Sequence, residues 1–338
     1  MNSHRFFILN MAFVLCGSLW LVSCNPLRLK DDQATFKSHC YHWAVDTSLA
    51  YQHRQVTLST MLTESGKLII DNAVGSIAIR PGKWSNVFVK GEIYLPEGQP
   101  LDSVSVRSQI QNSPTRSDSN FVYIYTDYRL TDRFDGFTLM DVFVPEELKE
   151  LEIRSKSASI TISQLNANLI IGSPCSNVIA REITGDSEIW VEYGNVILEN
   201  NGGHVNIENI AGDVTLIAKV ENGKTYDVET VSGTIQFIPR NNSGSISIAT
   251  VSGRIDVSEN LISTESSPFS ENPGYATELR GEIEIQGEDI PQADVTDRLL
   301  QISAGKRSEA QVVEGRLGTG SARIYLNSTN GDIYVRQP

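Results

Sequence analysis

Followed for its alternation of apolar and polar residues, the chain repeats one short unit from about residue 56 onward. With a glycine as position zero, a β-branched or large apolar residue stands at +2 and again at +4. Gly75 is followed by Ile77 and Ile79, Gly194 by Val196 and Leu198, Gly203 by Val205 and Ile207, and Gly212 by Val214 and Leu216. The pattern continues with Ile235 and Phe237 after Gly233, Ile246 and Ile248 after Gly244, and Ile255 and Val257 after Gly253. It returns with Ile283 and Ile285 after Gly281 and with Ile333 and Val335 after Gly331, and Ala158 replaces the glycine before Ile160 and Ile162. The intervals 194–203, 203–212 and 244–253 are each nine residues. Positions +1 and +3 are mostly polar, as in Asp213 and Thr215 or Thr234 and Gln236. Side chains alternate along a strand, so each unit has one dry and one wet face, and its glycine supplies the positive φ of a tight corner.

One such strand cannot bury its own apolar stripe, so the units must stack on one another. The predicted fold is all-β: a β-solenoid of stacked short strands with two or more units per coil, with a β-sandwich or meander as the alternative. Nine residues leave no room for a helix in each repeat, and Pro145 to Leu151 makes at most one helical turn. Two stretches interrupt the repeat. Residues 261–276 form a surface loop, and residues 287–318 include a short helix over Asp294 to Ile302. Between Ser103 and Glu147, the runs Phe121 to Tyr125 and Met140 to Val144 predict longer strands that cap the N-terminal end, since an open sheet edge invites aggregation. The expected domain plan is a leader at 1–23, an anchor and tether at 24–55, and a body at 56–338 with insertions at 100–137 and 261–318.

The leader changes the picture of location. Met1 to Arg5 is a basic start, and Phe6 to Leu21 is an uncharged apolar run. At 1.5 Å per residue that run reaches about 24 Å, short of the roughly 30 Å hydrocarbon core, which predicts a secretory signal rather than a membrane span. Leu21-Val22-Ser23-Cys24 resembles the lipobox of bacterial lipoproteins. The resemblance implies cleavage between Ser23 and Cys24 and acylation of the Cys24 thiol. Cys24 would then hold the chain on the extracytoplasmic side of a membrane, the outer membrane or cell surface included, with membrane lipid as its partner. Of the four cysteines, Cys16 leaves with the leader. Cys40 and Cys175 remain as the one pair able to form a disulfide, but nothing in the sequence brings them close, and unpaired thiols are the preferred reading.

Composition narrows the chemistry. The 338 residues carry 28 Lys+Arg against 41 Asp+Glu, a net charge of −13. That balance argues against nucleic acid as a partner, since phosphate-tracking surfaces need clustered cations. His39, Cys40, His42 and His53 fall within fifteen residues, but adjacent residues of an extended chain point to opposite sides, so no metal site is predicted. No phosphate-binding loop, H-E-x-x-H, nucleophile elbow or C-x-x-C occurs, and no cofactor or catalytic residue is predicted. Glu282 and Glu284 share a strand face at the spacing a glycosidase pair requires, but a solvated outer face is the preferred reading of them. His204, one residue after Gly203, is read as an exposed turn residue rather than a base.

Several segments together are similar to the bacterial putative-adhesin (toastrack-like) domain. These are Gly66 to Ile79, Val87 to Ile93, Val144 to Ile153 and the ladder through Val231-Ser-Gly-Thr-Ile235 and Val251-Ser-Gly-Arg-Ile255. The similarity covers residues 58–260 and 279–338, and the loops at 100–137 and 261–318 depart from it. It implies a β-solenoid on an envelope or surface protein and brings no catalytic signature. The function expected is a non-catalytic binding or structural module of the cell envelope, with an envelope protein or a glycan as partner. A carbohydrate-active solenoid enzyme and an accessory of envelope-stress signalling are the alternatives.

Overall fold

The computed structural model describes residues 50–112, 120–128, 136–241, 243–258, 261 and 311–338. Their apolar pairs close into one hydrophobic cluster that runs from Leu68 and Ile77 to Ile333 and Val335. The strands in chain order are β1 (Tyr51–Thr60), β2 (Lys67–Gly82), β3 (Val87–Pro96), β4 (Val104–Asn112), β5 (Asn120–Tyr128), β6 (Phe137–Pro145), β7 (Glu150–Ser163) and β8 (Asn168–Ile183). There follow β9 (Ser187–Tyr193), β10 (Val196–Asn200), β11 (Val205–Ala211), β12 (Val214–Ala218), β13 (Thr225–Ser232) and β14 (Ile235–Pro239). The last are β15 (Ser243–Thr250), β16 (Ile255–Val257), β17 (Gln311–Gly318), β18 (Ala322–Ser328) and β19 (Ile333–Val335). Among the described residues the only helical element is the short 3₁₀ turn Leu101–Ser103.

The strands stack in parallel as rungs of a solenoid, and each rung turns one corner. In β2, β7 and β8 the strand runs through that corner: Leu68 to Asp71 pair with β5, while Gly75 to Gly82 pair with β6. Later rungs divide there into β9 and β10, β11 and β12, and β13 and β14. The step between equivalent positions is 18 residues, as from Asn177 to Asn195, so two nine-residue units make one coil. It lengthens to 21 residues between His204 and Thr225. The added residues lie in the turn after β12, where the Tyr226 hydroxyl donates to Lys219 O at 3.0 Å and accepts from Glu221 N at 2.9 Å.

The predicted inward pairs are buried in every described rung but one. Ile235 and Phe237 are inaccessible, whereas Ile255 and Val257 are only partly buried against the core. The reason is position: among the described residues β16 pairs with β19 alone and stands last in the stack they form.

The order of rungs in space departs from the order in sequence. β18 lies between β13 and β15, and β19 lies between β14 and β16, all in parallel. The C-terminal strands are thus intercalated between two coils that are consecutive in sequence. β17 runs antiparallel along the far side of β15 and covers that edge. At the other end, β6, β3 and β1 extend one face of the coil in antiparallel order, and β5 and β4 extend the other. Ile93, Leu95 and Val104 form a small separate core in this cap, and Arg54 donates from its guanidinium to Val104 O. β1 begins at Tyr51, inside the segment read as tether. The predicted helix over Asp294 to Ile302 and the pair Ile283 and Ile285 lie outside the described residues.

Buried polar side chains line the inner corner in a column: Asn72, Ser155, Ser173, Asn209, Thr230, Ser328 and Thr250, with Val191 taking one place. A turning backbone leaves N–H and C=O groups without ladder partners, and some members of the column satisfy them, while the Ser155 and Ser328 hydroxyls have no hydrogen-bond partner among the described residues. Asn209 donates to Gly194 O at 2.9 Å, and the Thr250 hydroxyl donates to Gly331 O at 3.0 Å.

Candidate binding faces

Two further columns tie successive rungs together from β8 onward. The side-chain oxygen of Asn177 accepts from Asn195 N at 2.9 Å, that of Asn195 from Asp213 N at 2.8 Å, and that of Asp213 from Thr234 N at 2.9 Å. At the opposite corner Asn168 accepts from Asp186 N at 3.1 Å and Asp186 from His204 N at 2.7 Å. His204 continues that column, its Nδ1 accepting from Thr225 N at 3.1 Å. The exposed turn residue expected at 204 is therefore also a rung connector, with its ring nitrogen occupied by backbone.

Ser23, Cys24, His39, Cys40, His42, Glu282 and Glu284 lie outside the described residues. His53 is described, and it is placed away from any ligand set: its ring stacks on Tyr94 at 5.5 Å, with Nδ1 at 3.9 Å from Glu92. Among the described residues no cluster of three or more His, Cys, Asp or Glu side chains has the geometry to hold a metal ion. Cys175 on β8 is disulfide-bonded, against the preferred reading of free thiols. The three other cysteines of the chain are outside the described residues.

The first outer face is formed by β1, β3, β6 and the second half of β2. Phe88 faces Phe143 across β3 and β6, and Lys90 faces Asp141 in the next row. Trp84, 45% exposed, meets Phe143 edge-on at 5.2 Å, and Phe88 lies 6.2 Å from Phe143. The Lys90 ammonium sits 5.6 Å from the Phe88 centroid and 5.7 Å from that of Phe143, within reach of both ring quadrupoles. Arg80 donates to Asp141 at 2.9 Å. Further along the face, Tyr94 stacks on Phe137 at 4.6 Å, and its hydroxyl donates to Glu92. Burial and the Glu92 carboxylate both hold the Tyr94 hydroxyl protonated well above the ordinary range for a phenol.

The second outer face crosses the rungs on the other side of the coil. Lys67 bridges Glu150 at 2.7 Å and Glu152 at 3.0 Å, and Tyr123 donates to Asp71 at 2.7 Å. Towards the C-terminal end the face turns acidic. Asp227 stands between Asn206 and Tyr325, with Glu208, Glu229 and Asn327 in the adjacent row. Asp227 Oδ1 is buried with no hydrogen-bond partner among the described residues. Burial first, and then the charges of Glu229 and Glu208, push its carboxyl up to about 6.

Reading the repeat alone missed the aromatic face because it lies on strands outside the ladder. The signal was nonetheless present: in Val87-Phe88-Val89-Lys90 the valines take the dry phase, which leaves an aromatic ring in the wet one.

No protein-family model matches the chain, and no curated protein matches it. Three solved structures resemble it. One is described as a putative cell adhesion protein from Clostridium sporogenes, at 12% identity and TM-score 0.38, covering 85% of this chain and 100% of that one. Another, a putative adhesin from Bacteroides fragilis, has 11% identity and TM-score 0.40 over 84% of this chain and 97% of its own. A putative adhesin from Parabacteroides merdae has 12% identity and TM-score 0.26 over 61% and 84%.

Proposed function

We propose that the chain is a non-catalytic, adhesin-like binding module of the cell envelope, held to a membrane on its extracytoplasmic side through an acylated Cys24. The observation that carries this reading is the solenoid's pair of outer faces: one carries the aromatic patch of β3 and β6, and the other crosses rungs that the corner column Asn168-Asp186-His204 ties together. Stacked rungs present an extended, preformed surface that binds without first ordering itself. The leader and the Ser23-Cys24 bond supply the location, and a diacylated cysteine with a further acyl chain anchors far more firmly than one chain does.

Fractionation of cells expressing the full chain and its Cys24→Ala variant tests the anchor. The parent should partition with membranes and take up labelled fatty acid, and the variant should do neither. A parent that takes up no label would overturn the lipoprotein reading. Turnover of a polysaccharide that is lost on Glu282→Gln would overturn the non-catalytic one.

A further inference from the structure

Resting on the reading of the outer faces as binding surfaces, we infer that the Trp84–Phe143–Phe88 patch binds an acidic polysaccharide, a chain of uronate sugars. The patch combines an exposed indole and two half-buried phenyl rings with Arg80 and Lys90, beside the carboxylate of Asp141 and, two residues along β3, that of Glu92. Lys90 faces Asp141 across the strands, yet its ammonium is held by the rings of Phe88 and Phe143, and among the described residues it forms no ion pair. A cation so placed is available to an incoming anion.

The chemistry of the partner follows from the mixture. One face of a pyranose ring is lined with C–H groups, whose slight positive charge suits the negative face of an aromatic ring. The sugar's hydroxyls then reach the Arg80–Asp141 pair, which offers donors and an acceptor together, and the uronate carboxylate meets Lys90. An apolar protein surface would instead strand Arg80, Asp141 and Lys90 without water or partners.

The test is affinity electrophoresis of the full chain, in detergent, through gels containing polygalacturonate or, as a neutral control, dextran. Polygalacturonate should retard the chain and dextran should not. Trp84→Ala and Lys90→Gln should each weaken the retardation by about tenfold or more, as expected for a central anchor of a small interface. Both should melt at the parent temperature, since both side chains are on the surface. Absence of retardation by polygalacturonate would overturn the proposal. So would retardation unchanged in both variants, although that result would leave the chain a binding module acting through another surface. Trp84-dependent flotation with phosphatidylglycerol vesicles, without glycan binding, would assign the patch to a membrane and equally overturn it.

Discussion

Replacing Gly212 with alanine tests the corner geometry at one atom. A Cβ on Gly212 would stand 2.6 Å from the carbonyl carbon of Gly194 on the preceding rung, and nearer still to its oxygen, at a backbone φ of +146°. A φ so far on the positive side costs a non-glycine residue about 1–3 kcal/mol. Relief of the clash requires the rungs to part by about 1 Å, against a ladder spacing of about 4.8 Å. That movement strains the two bonds that cross the gap, Gly194 N to Ala211 O at 3.0 Å and Val196 N to Asp213 O at 2.9 Å. At about 1 kcal/mol for each bond weakened, the total is about 3–5 kcal/mol.

Two controls separate the causes. Gly223 has φ +74° with nothing within 4 Å of an added Cβ, so Gly223→Ala bears only the conformational cost, about 1–2 kcal/mol. Gly172 has neither a positive φ nor a neighbour within 4 Å, and Gly172→Ala should be neutral or stabilising by up to about 1 kcal/mol. Urea unfolding followed by circular dichroism ranks the three. If Gly212→Ala unfolds within 1 kcal/mol (about the measurement error of such extrapolations) of Gly172→Ala, the close approach of rungs at this corner is wrong.

Asp227→Asn should stabilise the chain at neutral pH. The carboxyl is at about 6 in the folded chain against 3.8 for an ordinary aspartate, so folding favours its protonated form. The parent should therefore lose stability as pH rises from 4 to 7, by about 1–3 kcal/mol after allowance for partial exposure, and the variant should lack this slope. Melting curves at pH 4, 5, 6 and 7 read the difference, and parallel slopes would show that Asp227 is not held protonated. Tyr226→Phe keeps the buried ring but removes the hydroxyl that serves Lys219 O and Glu221 N. It should cost about 1–3 kcal/mol and speed amide exchange at Glu221, and unchanged exchange there would contradict the role given to the hydroxyl.

The apolar pairs were legible because burial leaves them no freedom: Val196 and Leu198, or Val214 and Leu216, can only face inward if the strand is to hold at all. The glycine column was legible in position but only partly in cause. Gly253 and Gly331 lack the positive φ that the corner was expected to need. A Cβ at Gly331 would lie 2.7 Å from the carbonyl carbon of Gly233, so there it is close approach that excludes a side chain. The intercalation of β18 and β19 was not legible, because Ile333 and Val335 carry the same pattern as Ile255 and Val257, and equivalent rungs stack in either order. The choice between orders rests on neighbouring detail, such as Asp332 accepting from Arg254 N at 2.8 Å and Arg336 gripping Asp256 with both guanidinium nitrogens at 3.1 Å. Lys90, Phe88 and Phe143 became a site only when β3 and β6 were seen side by side, a pairing of distant segments that no local pattern encodes.

The stacking order itself can be measured with spin labels, introduced as unnatural amino acids, at Thr161 paired in turn with Gln236, Tyr334 and Asp256. These positions lie on one outer row, four, five and six rung spacings from Thr161. At about 4.8 Å per rung the electron–electron distances should be about 19, 24 and 29 Å, with residue 334 nearer than residue 256 although it lies later in the chain. Distances that place 256 nearer than 334, or that fail to grow by about one rung at each step, would contradict the intercalated solenoid.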